Sequence, residues 1–574
     1  MKKVLLTGNE AIARGFWEAG VHLGTGYPGT PSTEILENLA LMPSVKCQWA
    51  TNEKIAAEVA IGASISGSRA ICTMKHVGVN VAADPIFSFA YTGPVGGMVL
   101  CSADEPGMHS SQNEQDNRIY ARFAKLGLLE PSDSQECKDF AKLALELSET
   151  YRLAFLLRST TRISLSKSSV ELNDRVEVPI RSYEKNAERF ITMPANARRL
   201  RVDLEQRLKA LQEYAETTEI NRIIWQEKKI GIVTSGMTYQ YVREALPEAS
   251  VFKLGLTFPL PLQKLAAFAS EVDQLYVIEE LEPFLEEQLK MAGISCIGKE
   301  IIPNIGELSP NIIRKAFGIT IKETAPAWEA PARPPVLCPG CPHRSVFYTL
   351  SKLGCTVTGD IGCYTLGAIA PLNSIDTTIC MGAALPMALG MEISHPEMAR
   401  KLVAVHGDST FLHSGMTGLL EMVYNNASSL VMILDNGITA MTGHQHNPAS
   451  GKHIDNSQAS QVDFEAICRA LGVKRVREVD AYDLDTLNEA VKAELESEEL
   501  SVIIVRRACA LIVQRPVARY SVNTEKCVSC KMCMQLGCPA LSMKDKAEIS
   551  PELCANCGVC TQVCKFHAIV REEV

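Results

Sequence analysis

No apolar run in the 574-residue chain reaches the length of a membrane span. At the N-terminus only Val4-Leu5-Leu6 precede polar residues, too few for the core of a secretory signal. Positive charge is also in deficit, since 57 Lys and Arg against 66 Asp and Glu leave a net charge of −9. That sign argues against nucleic acid as the main partner, and it means that an anionic small molecule has to be held by a local site instead of a basic surface. Aromatic residues are scarce at 6% while 46% of residues are hydrophobic, the composition of a soluble globular protein. Together these absences predict a cytoplasmic protein with neither membrane nor nucleic acid as partner. What the chain has in excess is cysteine, 20 residues in all, eight of them between Cys527 and Cys564. Disulfides are unusual in a reducing compartment, so the eight clustered cysteines read as metal ligands. The length predicts about three to five domains.

The stretch LVAVHGDSTFLHSGMTGLLEMVYNNASSLVMILDN, residues 402–436, organises the rest. Two β-branched apolar runs, 402–405 and 430–434, end in the small polar clusters Gly407-Asp408-Ser409 and Asp435-Asn436 and enclose an apolar-periodic segment. That pattern is a βαβ unit. Ligands of open parallel sheets sit beyond the carboxyl ends of the strands, so Asp408 and Asn436 are expected side by side there. A carboxylate and an amide oxygen form half of a hard-oxygen shell of the kind Mg²⁺ accepts when a phosphate completes it. The plainer alternative is a crossover whose Gly-Asp is only a turn.

Upstream, residues 1–161 alternate short strands with helical periods. The run Val21-His22-Leu23 leads into Gly24-Thr25-Gly26-Tyr27-Pro28-Gly29-Thr30-Pro31-Ser32, where Pro31 suits the first position of a helix capped by Thr30. Gln48 to Glu53 opens a second helix with Ala56, Ala57 and Gly62, and a carboxyl at a helix N-terminus is by itself ordinary electrostatics. The charged stretch 173–229 reads as a solvated helical connector. A further α/β pattern begins at Ile230, and the Pro-rich run 325–335 is the clearest boundary in the chain.

From Ala518 the composition turns cysteine-dense and cannot supply a normal apolar core, so metal has to hold the segment together. Its pattern is Cys527-x2-Cys530-x2-Cys533-x4-Cys538-Pro539 and then Cys554-x2-Cys557-x2-Cys560-x3-Cys564. This is the two-cluster bacterial ferredoxin run, in which the fourth cysteine of each group serves the other cluster. One [4Fe–4S] cluster is therefore expected on Cys527, Cys530, Cys533 and Cys564, and the second on Cys554, Cys557, Cys560 and Cys538. One extra residue before Cys538, and Lys565 in place of proline after Cys564, depart from the pattern. Zinc is the alternative for CxxC pairs.

Residues 407–436 resemble the Mg²⁺–diphosphate signature of thiamine-diphosphate enzymes, with Ser409 in place of a glycine and Asp435 in place of an asparagine. Set beside Tyr27-Pro28-Gly29-Thr30-Pro31, Asn52-Glu53-Lys54, Cys338-Pro339-Gly340-Cys341-Pro342-His343-Arg344 and the cysteine tail, the whole chain resembles the 2-oxoacid:ferredoxin oxidoreductases, in their aryl-pyruvate branch. The resemblance implies an α/β multidomain thiamine-enzyme fold. Its parts would be a pyrimidine-binding domain at 1–172, the connector at 173–229, a transketolase C-terminal-like domain at 230–324, the linker at 325–335, a diphosphate domain at 336–517 and a ferredoxin-like domain at 518–574. The two thiamine domains would be doubly wound parallel sheets.

The resemblance also implies site roles. Glu53 would activate the aminopyrimidine of the cofactor. Asp408, Asn436 and the carbonyl of Ile438 would hold Mg²⁺, with Gly407, Ser409, Gly362, Cys363, Gly382 and His343 around the cofactor and His76 a further candidate near the ring. Thr30 and Arg118 would meet the substrate carboxylate. Cys338, Cys341, Cys363 and Cys509 stand where relatives ligate a third, proximal cluster, with Pro342 replacing a glycine, although loop or core thiols would look the same. Cys47, Cys72, Cys296 and Cys468 read as interior residues. The implied reaction converts an aryl pyruvate such as indolepyruvate, coenzyme A and oxidised ferredoxin to the aryl-acetyl thioester, CO₂ and reduced ferredoxin. A smaller beta subunit would complete the enzyme, in a doubled αβ pair. A non-oxidative decarboxylase needs no cysteine tail, an electron-transfer subunit needs no Glu53, and a pyruvate or 2-oxoglutarate enzyme shares all of these parts.

Overall fold

The computed structural model describes residues 3–321, 331 and 333–572, and the chain divides into two compact units, Met1–Ala327 and Trp328–Val574. The Pro-rich linker expected at 325–335 lies largely outside the described residues. No helix among the described residues is long and apolar enough to cross a membrane.

In the first unit a seven-stranded sheet runs in the order Leu256–Phe258, Gly127–Leu129, Phe155–Thr160, Met98–Asp104, Ala70–Lys75, Leu23–Gly26, Lys46–Trp49. Every neighbouring pair is parallel except the first. Met98–Asp104 and Phe155–Thr160 are buried along their whole length, as strands covered on both faces must be. On one face helix Gly8–Glu18 packs so tightly on Ser134–Tyr151 that a Cβ on Gly15 would stand 2.1 Å from the carbonyl oxygen of Lys138. A second sheet orders Gln274–Val277, Glu227–Ser235, Ala249–Leu254 and Arg222–Ile224, parallel apart from its last pair.

Three expectations need correction here. The connector does not extend to residue 229, because Arg222–Ile224 and Glu227–Ser235 are strands of the second sheet. Nor does the third α/β segment stand apart, since its strand Leu256–Phe258 crosses to the edge of the seven-stranded sheet, where the Glu130 N–H donates to the Gly255 carbonyl at 2.9 Å. Helix Pro194–Thr217 is not simply solvated: Leu200, Leu204, Leu208 and Leu211 are buried, an apolar stripe at helical spacing that the surrounding charges obscure. Its Arg207 is buried too and donates to the carbonyls of Ala90 and Tyr91.

The second unit holds a five-stranded, all-parallel sheet in the order Thr356–Thr358, Leu402–Gly407, Leu430–Asp435, Ser501–Arg506, Arg475–Asp480. Alternate strand residues divide between two apolar clusters, Ala404, Val431, Ile433 and Val502 in one and Val403, Val405, Met432 and Ile503 in the other. The cysteine-dense segment follows as two antiparallel ribbons, Arg519–Val522 with Ile569–Glu572 and Leu541–Met543 with Ala547–Ile549. Its own apolar cluster counts Cys527 and Cys533 among its buried members. It docks on the sheet domain through Arg344, whose Nη1 donates to the Leu536 carbonyl at 2.6 Å.

Candidate functional site

The runs at 402 and 430 are adjacent parallel strands with Gly407 opposite Leu434, so Asp408 and Asn436 leave the sheet at the same edge. The connecting helix Met416–Tyr424 is entered through a π-helical turn, Phe411–Gly415. Asp408 is buried. Its Oδ1 accepts the Ser409 N–H at 2.6 Å, but Oδ2 has no hydrogen-bond partner. Burial, and then the charge of Asp435, push its carboxyl up to about 8. An orphaned, buried carboxylate oxygen is costly unless a cation or a proton reaches it, and a divalent cation fits this donor set. Asn436 is buried alongside. Its Oδ1 accepts the Ile438 N–H at 3.2 Å and its Nδ2 lies 3.3 Å from His343 Nε2. Burial lowers His343 to about 4, which leaves a neutral ring able to accept that amide. Asp435 is drawn away by Arg506 at 3.0 Å.

The surrounding positions are fixed by close contact. A Cβ on Gly407 would come within 2.9 Å of the Tyr364 ring, and one on Gly382, whose φ is +88°, within 2.2 Å of Ser414 Oγ. Gly362 likewise has Tyr364 at 2.4 Å from a would-be Cβ, and Cys363 begins the short helix that carries that ring. Sequence reasoning missed Asp360, which is buried just beyond strand Thr356–Thr358. It accepts the N–H groups of Ile361, Gly382 and Ala384 at 2.8, 2.9 and 3.0 Å and so ties the two glycine loops together. Burial pushes its carboxyl up to about 6. The signal was there, since Gly359-Asp360 repeats the strand-ending Gly-Asp of Gly407-Asp408.

In the first unit, Glu53 is the first residue of helix Glu53–Ile65, capped by Asn52, whose side chain accepts the Ile55 N–H at 2.9 Å. The carboxyl is buried against Gly78: a Cβ there would lie 2.7 Å from Glu53 Cγ and Oε1. Gly78 is thus a second residue that the sequence did not single out. Thr30 does not cap a helix, contrary to expectation. The helix begins at Thr33 with Ser32 as its flanking residue, and Thr33 Oγ1 accepts the Gly29 N–H at 2.9 Å. Thr30 is half-buried in the loop that follows strand Leu23–Gly26. His76 is buried and pins the 113–117 segment, its carbonyl accepting from Gln115 and Asn117.

Arg118 corrects a sharper expectation. It is 1% exposed, with Nε and Nη2 forked on Asp116 at 2.9 and 2.6 Å and Nη1 on Glu279 at 2.7 Å. Nη2 also donates to the carbonyls of Glu280 and Glu282. With each guanidinium nitrogen bonded within the protein and the whole group buried, Arg118 serves as an internal tie. Arg158 is also buried and paired, Nε with Asp104 and Nη1 with Glu130, but its Nη2 has no hydrogen-bond partner and lies 3.7 Å from Asp116.

The cysteines fall into three groups. Cys533 has Cys564, Cys530 and Cys527 as charged neighbours, which add to burial in raising its thiol. Burial, and then Cys557, Cys538 and Cys554, push Cys560 to about 12. Cys538, Cys554, Cys557 and Cys560 line a small cavity with Gly340, Cys341 and Arg344. Burial raises Cys341 to about 12, with Cys363 and Cys338 among its charged neighbours. Burial raises Cys363 to about 11, with Cys509 and Cys338 adding to it. The Cys509 N–H donates to the Asn436 carbonyl, which joins this third group to the loop after strand Leu430–Asp435. Among the described residues no three His, Cys, Asp or Glu side chains close to the spacing of a single bound ion. Cys72, Cys296 and Cys468 are buried and Cys47 half-buried, and burial raises all four thiols.

Known proteins resemble the chain along nearly its whole length. A family described as "Pyruvate flavodoxin/ferredoxin oxidoreductase, thiamine diP-bdg" matches residues 14–219, and one described as "Thiamine pyrophosphate enzyme, C-terminal TPP binding domain" matches residues 360–505. The chain is 40% identical to "Indolepyruvate oxidoreductase subunit IorA" of Archaeoglobus fulgidus, over 99% of this chain and 97% of that one. It is 39% identical to the protein of the same name from Pyrococcus horikoshii, over 100% and 97%. A solved 2-oxoglutarate:ferredoxin oxidoreductase from Magnetococcus marinus overlays 55% of this chain and 65% of its own, at 16% identity and a TM-score of 0.46.

Proposed function

The chain belongs to the family of indolepyruvate ferredoxin oxidoreductase alpha subunits, and on that premise we propose that it oxidatively decarboxylates aryl pyruvates, indolepyruvate among them. Membership makes it a thiamine-diphosphate-dependent 2-oxoacid:ferredoxin oxidoreductase; the aryl preference, the coenzyme A acceptor and the clusters are the proposal. The balanced conversion takes one aryl pyruvate, one coenzyme A and two oxidised one-electron carriers to aryl-acetyl-CoA, CO₂, two reduced carriers and a proton. A smaller beta subunit, in a doubled αβ pair, and ferredoxin are the proposed partners, in the cytoplasm.

Thiamine diphosphate, when bound, supplies the nucleophilic carbon that activates 2-oxoacids toward loss of CO₂. Asp408, Asn436 and the Ile438 carbonyl would hold Mg²⁺ and through it the diphosphate. Glu53 would hold and return a proton at its carboxyl, where burial against Gly78 keeps water out. The crossed quartets would each hold a [4Fe–4S] cluster and pass electrons singly, and Cys338, Cys341, Cys363 and Cys509 would hold a third beside the Asn436 loop.

Asp408 carries the assignment: its orphaned Oδ2 at the edge shared with Asn436 asks for a cation that a simple turn does not need. The test is anaerobic viologen or ferredoxin reduction by the purified chain with its beta partner, comparing indolepyruvate, phenylpyruvate, pyruvate and 2-oxoglutarate. Aryl pyruvates should give the highest kcat/KM; preference for pyruvate or 2-oxoglutarate refutes the aryl assignment. Glu53→Gln should lose turnover while thiamine diphosphate still binds, and unchanged turnover would overturn its role.

A further inference from the structure

The strands Leu23–Gly26, Ala70–Lys75 and Met98–Asp104 lie side by side and parallel, so the Thr30 loop, Lys75 and Glu105 all leave the sheet at its carboxyl edge. That edge is where ligands of parallel sheets bind. Lys75 ends the middle strand and precedes helix His76–Thr92. Its stem is laid against the Thr30 loop: a Cβ on Gly29 would meet Lys75 Cγ, Cδ and Cβ at 3.0, 3.1 and 3.2 Å. The residue is half-buried, and burial lowers its ammonium while the charges of Glu105 and Glu53 act the other way.

Among the described residues neither carboxylate is within ion-pair distance of it and the ammonium has no hydrogen-bond partner. Glu105 is already taken, by the Ser110 N–H at 3.0 Å, Ser110 Oγ at 2.9 Å and Ser111 Oγ. A partly desolvated cation without a fixed counter-ion is costly, and it is a ready receptor for an anion. Every 2-oxoacid brings a carboxylate to the site, and Arg118, the basic residue expected there from the sequence, is buried with each guanidinium nitrogen already bonded within the protein.

We propose that Lys75 receives the carboxylate of the 2-oxoacid substrate at the Thr30 loop, beside Glu53. This rests on the assignment of Glu53 and Thr30 to the thiamine site. An ammonium on the carboxylate helps to bind and orient the substrate, but its partner charge vanishes as CO₂ leaves. Removing it therefore raises KM more than it lowers kcat.

The test compares wild type, Lys75→Met and Lys75→Arg as complete complexes with the beta subunit. Steady-state kinetics on an aryl pyruvate are paired with calorimetric binding of 3-phenylpropionate, a non-reacting carboxylate, and of its neutral amide. Lys75→Met should raise KM and weaken 3-phenylpropionate on the order of 10- to 100-fold, the range for a lost charge-assisted hydrogen bond. Amide binding and thiamine diphosphate content should stay at wild-type levels, and Lys75→Arg should recover part of the acid binding. Equal weakening of acid and amide, loss of the cofactor or unchanged acid binding each overturns the role of Lys75. If wild type turns over no 2-oxoacid, the assignment of the site itself fails; if wild type is active and Lys75→Met matches it, only the role of Lys75 fails.

Discussion

Asp408→Asn separates a cation site from a turn. In the cofactor-free protein the carboxyl is raised from an ordinary 3.8 to about 8, by burial first and the charge of Asp435 second. The folded chain then keeps a proton that the unfolded chain releases, so stability is undiminished below about pH 4 and declines as pH rises toward 8. At pH 7 the penalty is about 4 kcal/mol, taking roughly 1.4 kcal/mol per unit between the unfolded value and the working pH. Asparagine cannot ionise and escapes that penalty, but its amide N–H groups inherit an unpartnered position and cost about 1–3 kcal/mol. The net expectation is a variant more stable than wild type by about 2 kcal/mol at pH 7–8, with the advantage gone by pH 5. Urea unfolding of cofactor-free protein at pH 5 and pH 8 reads it directly. The same variant should gain no thermal stability from added Mg²⁺ and thiamine diphosphate, whereas wild type should gain several degrees. A variant less stable than wild type at pH 8, or one that retains the cofactor normally through gel filtration, would refute the cation-site assignment.

Gly78→Ala should leave the fold intact or firmer by up to about 1 kcal/mol, since alanine is the better helix former. Turnover should nonetheless fall on the order of 100-fold, because a Cβ 2.7 Å from the Glu53 carboxyl must move it; wild-type kcat would show that Glu53 need not be held there. Arg118→Met takes the main counter-ion from buried Asp116, leaving it Arg158 at 3.7 Å, and leaves buried Glu279 only backbone N–H donors; it should cost about 3–5 kcal/mol in urea, with KM unchanged while the variant stays folded. A large rise in KM at unchanged stability would return Arg118 to the substrate. Iron analysis of anaerobically purified protein should give about twelve atoms per chain, falling toward eight in Cys509→Ser; about eight in wild type excludes the third cluster.

The features legible in the sequence are those in which spacing is the chemistry. Eight cysteines in two C-x2-C-x2-C runs predict two crossed sets, and Cys533 and Cys560 each have the other three cysteines of the expected set for electrostatic neighbours. The paired strands at 402 and 430 were equally plain, since a fully buried parallel strand is a continuous β-branched run. Less legible was anything decided by distant partners. The strand Leu256–Phe258 is three residues long and takes its place from the edge of a sheet formed by earlier residues. The stripe Leu200, Leu204, Leu208 and Leu211 is a regular helical period, but it sits in so charged a segment that composition alone suggested solvent. Thr30-Pro31 matched a capping pattern, yet the chain turns for two more residues before the helix begins.

The same limit applies to the basic residues. Arg118 and Lys75 both stand where a strand or loop meets a helix, and a sequence does not record whether a cation has been neutralised. Arg118 has Asp116, Glu279 and two carbonyls about it, so its burial is balanced within the protein and adds rigidity between segments far apart in the chain. Lys75 and Asp408 are buried or half-buried without such balance. A fold that leaves a charge unbalanced loses stability at that point, and it can recover the loss only when something of opposite charge arrives. On this ground a saturated network such as the one around Arg118 is evidence of architecture, whereas an unsaturated charge at the carboxyl edge of a parallel sheet is evidence of a ligand. The two unsaturated charges ask for different ligands: Asp408 for a cation, Lys75 for an anion. A metal–diphosphate at the first and a 2-oxoacid at the second would supply both.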